Sequence, residues 1–342
     1  MLLRDITSNP SAVAITMRRT LAPLDGTVAP VFPPTYPAPE KGQHRHGTPY
    51  TINELRDGTL VADLDSVQSQ ANRMEAAFAG PLARMVPQYA VSAGGRVVSL
   101  VELPHRLADA VARASDLREP IRAAMEAYAA GDPNPVAKLC PTALIYGAWD
   151  SRDTQIKIPR AVRSEIRAYD VSIATRSAQF TGTFDADELD LTATEWKKGA
   201  DVGFAPTPSV NAHGGVYVHG EIVHTASIVL APLRRGNAVL ADYLLGLALA
   251  GLGHAMHETR LRVGCELLPS GPAHWQLVSA DGRREDIAIE DIASQLAMAA
   301  EAWAAAAGVT LDGEPTQYAY DPKAAKAAIA AASKDKKDKS GT

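Results

Sequence analysis

Apolar and polar positions change period repeatedly along the chain, and each change marks a predicted element. Val13–Leu24 (VAITMRRTLAPL) reads as a first strand. Pro30, Pro33, Pro34, Pro37 and Pro39 then rule out regular pairing and predict a long irregular loop running through GQHRHGTPY. Asp65 is expected to cap an amphipathic helix, SVQSQANRMEAAF. In it Val67, Ala71, Met74 and Phe78 share one face, and Gln68, Asn72 and Arg73 lie on the other side. YAVSAGGRVVSLVEL is strand-like, and HRLADAVARASDLREPIRAAMEAYAAGD is helical, with Pro120 dividing it in two. PTALIYGAW is an apolar run of strand length.

Strand alternation returns from Ile173 to Leu191, followed by a polar, Gly/Pro-rich projection, EWKKGADVGFAPTPSVNAHGG. VYVHGEIVHTASIVLAPL carries the clearest strand signal. A strongly apolar helix (NAVLADYLLGLALAGLGHAM), a pair of strands (RLRVGCELLP and HWQLVSADGRRE) and a last helix (IAIEDIASQLAMAAEAWAAAAG) follow. The final PKAAKAAIAAASKDKKDKSGT has few large apolar residues and is expected to be a frayed helix or mobile. No internal repeat is visible. Strand and helix units interrupted by two irregular projections predict an α+β core with inserted lobes, not a doubly wound parallel sheet.

With 342 residues, 46% of them hydrophobic, the chain can bury a large core. Its formal charge of −5 argues against coating a polyanion with the whole surface, so nucleic-acid binding would need a local basic stripe. Cys140 and Cys265 are expected to be buried thiols, not a disulfide. No apolar run reaches the roughly 20 residues of a membrane span, and MLLRDITSNP lacks a signal-peptide core, so a cytoplasmic chain is expected.

One stretch does hold such a stripe: GAWDSRDTQIKIPRAVRSEIRAYDV, Gly147 to Val171, with Arg152, Lys157, Arg160, Arg163 and Arg167. With Pro159 in a first helical turn, Arg160, Arg163 and Arg167 would line one face and Val162, Ile166 and Tyr169 the other. Guanidiniums so placed suit phosphate oxygens. The same residues also fit a strand, and a solvated helix paired with Glu165 and Asp170 is the plainer reading. Asp150, Ser151 and Asp153 could hold Mg²⁺ or form a nucleophile site, but no local partner set accompanies them, and a turn cap with a salt bridge fits better. His44 and His46, His219 and His224, and His254 and His257 include one i, i+3 pair but no zinc-protease pattern. No metal or cofactor is therefore expected. Phosphate-cradling GxxxxGK[ST] and strand-linked GxGxxG motifs are absent, and nothing specific supports a metabolite pocket under the apolar helix 240–252.

Taken in order, SVQSQANRMEAAF, HRLADAVARAS, PTALIYGAWDSR with KIPRAVRSEIRAYDV, and GGVYVHGEIVHTASIVLAPLR followed by YLLGLALAG resemble the Cas-seven backbone subunit of type I-G (formerly I-U) CRISPR Cascade complexes, a RAMP-superfamily protein. The resemblance runs from about Val13 to about Gly308. It implies an α+β fold with a modified RRM, or ferredoxin-like, palm (10–24, 60–102 and 216–310), a finger-like insertion at about 103–172 and a thumb at about 190–215. Together these make one domain over 1–310, with 311–342 a mobile tail. It further implies a non-enzymatic filament subunit that binds the guide-RNA backbone without reading sequence, leaving the bases to pair with target DNA. The implied partners are guide RNA, target DNA, further copies of itself, a large subunit, a Cas-five/Cas-six-like subunit and a recruited helicase-nuclease, with no membrane.

Carried onto this sequence, the resemblance assigns guide contact to Arg152, Lys157, Arg160, Arg163 and Arg167, with Gln68, Asn72, Arg73, Arg18 and Arg19 in second rank. Phe204, Pro206 and Pro208 would shape the thumb tip. The alternative is a RAMP-type metal-dependent ribonuclease acting through Asp150 or Asp153. One departure is that the glycine-rich loop near the C-terminus of many RAMP proteins is reduced here to LPSGPAH.

Overall fold

A computed structural model of the chain describes residues 1–39, 42, 44–180 and 182–330, with the side chains at 208, 210 and 211 outside that set. A short helix, α1 (Leu3–Thr7), precedes β1 (Ala12–Pro23), which buries Ile15, Met17 and Leu21 on one face and turns Thr16, Arg18 and Thr20 to the other. After the Pro-rich loop, β2 (Ile52–Glu54) and β3 (Leu60–Asp65) form an antiparallel hairpin. Asp65 ends β3, and Ser66 is the cap of α2 (Val67–Ala79), its Oγ accepting from the Ser69 amide at 3.3 Å. Ala71, Met74 and Phe78 are buried along the predicted face.

β4 (Tyr89–Ala93) and β5 (Arg96–Ser99) form a separate hairpin. Helices α3 (Ala110–Arg113), α4 (Arg118–Ala129), α5 (Asn134–Leu139) and α6 (Pro141–Tyr146) follow. The helical break falls before Arg118, and Pro120 sits inside the first turn of α4, where its missing N–H leaves no bond unmade. PTALIY is helical, contrary to the strand expected of it. All six residues are buried, so the run has no period to separate strand from core helix, and Pro141 is suited to a first turn. Only β6 (Ala148–Trp149) extends from it, paired with β7 (Lys157–Ile158).

β8 (Val162–Tyr169) comes next. β9 (Val171–Phe180) and β10 (Thr207–Val218) pair as a ribbon of their own, with α7 (Ala193–Gly199) between them in sequence. The strand expected to reach Leu191 thus ends at Phe180. The chain returns through β11 (Ile222–Val229), α8 (Leu230–Leu233) and α9 (Ala238–His257). It closes with β12 (Arg260–Arg262), β13 (Cys265–Pro269), β14 (His274–Ser279), β15 (Arg284–Asp286), α10 (Ile292–Ala307) and β16 (Thr316–Ala319).

The main sheet is curled and antiparallel, in the order β2, β3, β8, β11, β1. The far edge of β1 is shared by β14 along Ala12–Arg18 and β13 along Leu21–Pro23. α2 packs against α9 and β8, and α10 against α9, on one side of this sheet. α9 is apolar and long enough at 20 residues to cross a membrane by length and composition, but 67% of its most apolar window is buried inside the protein. It is the central core helix, with Leu244, Leu247 and Leu252 in one cluster with Met74 and Phe78 of α2.

The segment expected as a finger-like insertion shares the core and the main sheet. Its Leu107, Leu117, Ile121 and Met125 lie in the same core as α2 and α9, and its Val162–Tyr169 supplies the sheet strand β8. Residues from 311 onward, expected as a mobile tail, carry regular structure in their first part. β16 pairs in parallel with β4, Tyr318 lies against Tyr89 at 6.1 Å, and the Asp321 amide donates to the Ala114 carbonyl at 2.7 Å. Residues 331–342 of that tail lie outside the described residues.

Candidate nucleic-acid interface

The two geometries open to the basic stretch resolve as a strand. β-branched Val162 and Ile166 alternate with charged residues, so Val162, Ser164, Ile166 and Ala168 point into the core while Arg163, Glu165 and Arg167 point away. Arg160 precedes the strand and leaves the row. It is half-buried, its Nη1 donates to the Val67 carbonyl at 2.9 Å, and burial, then the Arg106 charge, pull its pKa down.

β1 and β11 extend the outward face. In register, Thr225 stands between Arg18 and Glu165, and Ser227 between Thr16 and Arg163. These positions are exposed or half-buried, and they carry hydroxyls, guanidiniums and carboxylates. The cations are not free: Arg18 pairs with Glu221 at 2.7 Å, Arg163 with Glu165 at 3.1 Å, and Arg167 with Glu165 at 3.0 Å and Asp63 at 3.1 Å. Burial lifts the Asp63 carboxyl above its usual range, with Arg167 opposing and Glu165 adding to the shift. The exposed Arg18–Glu221 pair contributes about 0–1 kcal/mol, so an incoming phosphate can replace its carboxylate at little cost.

Among the second-rank candidates, Gln68 and Asn72 are exposed on α2. Arg73 is occupied, donating to Asp65 Oδ2 at 2.9 Å and to the Leu261 carbonyl at 2.8 Å. Arg19 is buried, and burial lowers its pKa; its Nε donates to His224 Nδ1 at 3.1 Å. That contact begins a buried chain no local motif announced. His224 Nε2 lies 2.7 Å from Ser164 Oγ, Ser164 donates to Gln70 Oε1 at 2.8 Å, and Gln70 donates to Asp65 Oδ2 at 2.7 Å.

The direction of this chain decides its chemistry. Arg19 can only donate, so Nδ1 holds the imidazole lone pair and Nε2 carries the proton it gives to Ser164. The ring has no basic nitrogen left for the hydroxyl, and both residues are fully buried, so Ser164 and His224 do not form a nucleophile–base pair. Burial, then the Arg19 charge, push His224 down to about 3, which keeps it neutral.

Asp150 is spent on the β6–β7 turn. Its carboxylate accepts from the amides of Arg152, Asp153 and Thr154 and from the Thr154 hydroxyl, with Arg113 Nη1 at 3.5 Å. Burial works against the charge, but the Thr154 bonds and Arg113 hold this carboxyl below the usual range. Asp153 bonds Arg122. Among the described residues no group of three or more His, Cys, Asp or Glu stands ready to hold a metal ion. Arg152 and Lys157, by contrast, are exposed and have no acidic partner among the described residues. The five-residue basic row is therefore three separate situations: an internal Arg160, a charge-balanced Arg163 and Arg167, and an uncompensated Arg152 and Lys157.

The ribbon carries the proposed thumb residues. Phe204 is 55% exposed beyond the N-terminal end of β10, and Pro206 is half-buried beside it. Pro208 lies on β10 opposite Gln179, its side chain outside the described set. Phe180, Phe184 and Val202 are also exposed in this region, a cluster that sequence spacing did not single out. The LPSGPAH segment joins β13 to β14 along the edge of β1, where the Ser270 amide donates to the Thr20 carbonyl at 3.0 Å.

Fold and surface together define an α+β protein with helices on one side of an antiparallel sheet and a polar, guanidinium-bearing face on the other. Residues 15–173 match the family model described as CRISPR-associated protein GSU0053 (Cas_GSU0053). The matched span runs from β1 through β8 and contains Arg18, Arg163 and Arg167 with the β6–β7 turn. No curated protein matches the chain.

Proposed function

We propose that this chain is a guide-RNA-binding backbone subunit of a CRISPR interference complex, of the type I-G Cascade kind. The observation that carries the reading is the polar outward face of β8, β11 and β1, whose Arg18, Arg163 and Arg167 lie within the span matched to a CRISPR-associated family, while Thr225 and Ser227 of β11 lie beyond it. The strand order β14, β1, β11, β8, with α2 and α9 in the two crossovers, supports an RRM-like, ferredoxin-type palm. That face presents donors for phosphates and 2′-hydroxyls and no aromatic ring at its central positions, which favours backbone contact over base reading.

Each copy need hold only a few phosphates, consistent with a chain that is acidic overall. Copies stacked along one guide RNA would leave bases free to pair with target DNA, and a large subunit, a Cas-five/Cas-six-like subunit and a recruited helicase-nuclease would complete the cytoplasmic assembly. The chain itself would cut nothing. The alternative of a metal-dependent ribonuclease acting through Asp150 or Asp153 has less support, since Asp150 is engaged in the turn and Asp153 with Arg122 of α4.

Co-expression with a guide RNA tests the proposal. RNA should co-purify at low salt and be lost at high salt. Arg163→Glu and Arg167→Glu should weaken binding irrespective of sequence, each reducing the slope of log K against log salt by about 0.7. Protein that emerges RNA-free at low salt would falsify the reading.

A further inference from the structure

We propose that the Trp149–Lys157 corner of the β6–β7 hairpin seats one unpaired base of single-stranded RNA, the indole stacking on the base and the ammonium meeting a flanking phosphate. The inference rests on the RNA-binding reading above and adds a contact residue outside the arginine row.

Trp149 is 62% exposed, although indole is among the side chains with most to gain from leaving water. Lys157 is its cross-strand partner, and Nζ stands 6.0 Å from the ring centroid. A flat π surface beside a cation is what sequence-tolerant binding of single strands requires.

The corner is held in advance of any ligand. Asp150 ties down the turn through three amides and a hydroxyl, and Asp153 is bonded to Arg122 on α4. Gly147, at φ 82°, opens the hairpin where a Cβ would lie 3.1 Å from the Ile158 carbonyl oxygen. Little ordering cost therefore remains for binding.

Charge favours the same occupant. Both acids of the hairpin are consumed internally, so its outer surface offers the cations Arg152 and Lys157 without compensating carboxylates among the described residues. Lys157 is also only six residues before Arg163, a span of at most about 20 Å in extended chain, so a strand lying on the sheet face can continue onto the hairpin.

The test uses the full chain and a fluorescein-labelled 12-nucleotide oligouridine, followed by anisotropy across a salt series, with sedimentation of the RNA-free protein alongside. Trp149→Ala should weaken binding about five- to a hundredfold. Trp149→Phe should recover most of that loss, and Lys157→Gln should lower the salt slope by about 0.7. Wild-type affinity in Trp149→Ala, with the wild-type chain binding RNA, overturns the stacking seat and leaves the RNA-binding reading intact. No binding by the wild-type chain overturns that reading and the seat with it. Altered sedimentation of Trp149→Ala at unchanged RNA affinity would make the ring a contact between copies and overturn the proposal.

Discussion

The buried neutral imidazole of His224 makes stability depend on pH. An unfolded chain carries this group at its ordinary value of 6.5, whereas the fold pushes it down to about 3. Between those values the unfolded chain binds more protons, so stability is intact above pH 6.5 and is lost as pH falls. Linkage gives a loss of about 2 kcal/mol on going from pH 7 to pH 5, a sizeable share of a typical 5–15 kcal/mol. His224→Gln removes the titration while keeping an acceptor for Arg19 and a donor for Ser164. Urea unfolding of both proteins at pH 7 and pH 5 separates the effects. The variant should be less stable at pH 7, because the amide fits the site less well, but should lose about 2 kcal/mol less than wild type on acidification. Equal acid losses in the two proteins would refute both the neutral imidazole and the donor direction assigned to the chain.

Three further outcomes follow from buried or constrained groups. Arg106 donates to both carboxylate oxygens of Glu75 (Nε to Oε1 at 2.7 Å) with both side chains buried, so Arg106→Met should cost about 3–5 kcal/mol in a denaturant melt, and adding Glu75→Gln should return part of it. Gly147→Ala should lower stability by about 1–3 kcal/mol, since φ 82° with ψ 156° is a glycine conformation, and thermal melts will read the loss. Burial raises the Cys140 thiol and pushes Cys265 up to about 12, so a thiol reagent at pH 8 should find no reactive cysteine in the folded chain and two after denaturation.

Periodic elements were legible from sequence for a physical reason: β1, α2, β11 and α9 each bury one face or all faces, and burial imposes the pattern. PTALIY was misread because a fully buried run has no period. β16 was not visible in the sequence because Tyr318 pairs with Val91 of β4, and Tyr320 beside it with Ser115 after α3, only across more than two hundred residues. The arginine row was visible as a row, but the pairing of Arg167 with Asp63 depends on β3, a strand about a hundred residues earlier that only the sheet brings alongside. The Arg19–His224–Ser164–Gln70–Asp65 chain joins five residues from four strands and a helix, with no local spacing to betray it. Trp149 carries a local signal, an aromatic beside a polar turn, but one weaker than the charges around it.

Among the described residues the β9–β10 ribbon is anchored at one end only. Near its base the Pro-rich loop bridges Val31 to Val216, and the Tyr50 hydroxyl accepts from the Gly215 amide at 3.0 Å, where a Cβ would collide with the Val31 carbonyl. Val171 and Ala174 are buried there, whereas the strand is exposed from Thr175 to Phe180. Mechanically this is a cantilever clamped at its root: small changes in the loop that holds residues 214–216 become large displacements of Phe180 and Phe204. A glycine-to-alanine change at the clamp would therefore re-aim the tip without touching it, and the tip amides should exchange with solvent faster than those at the root.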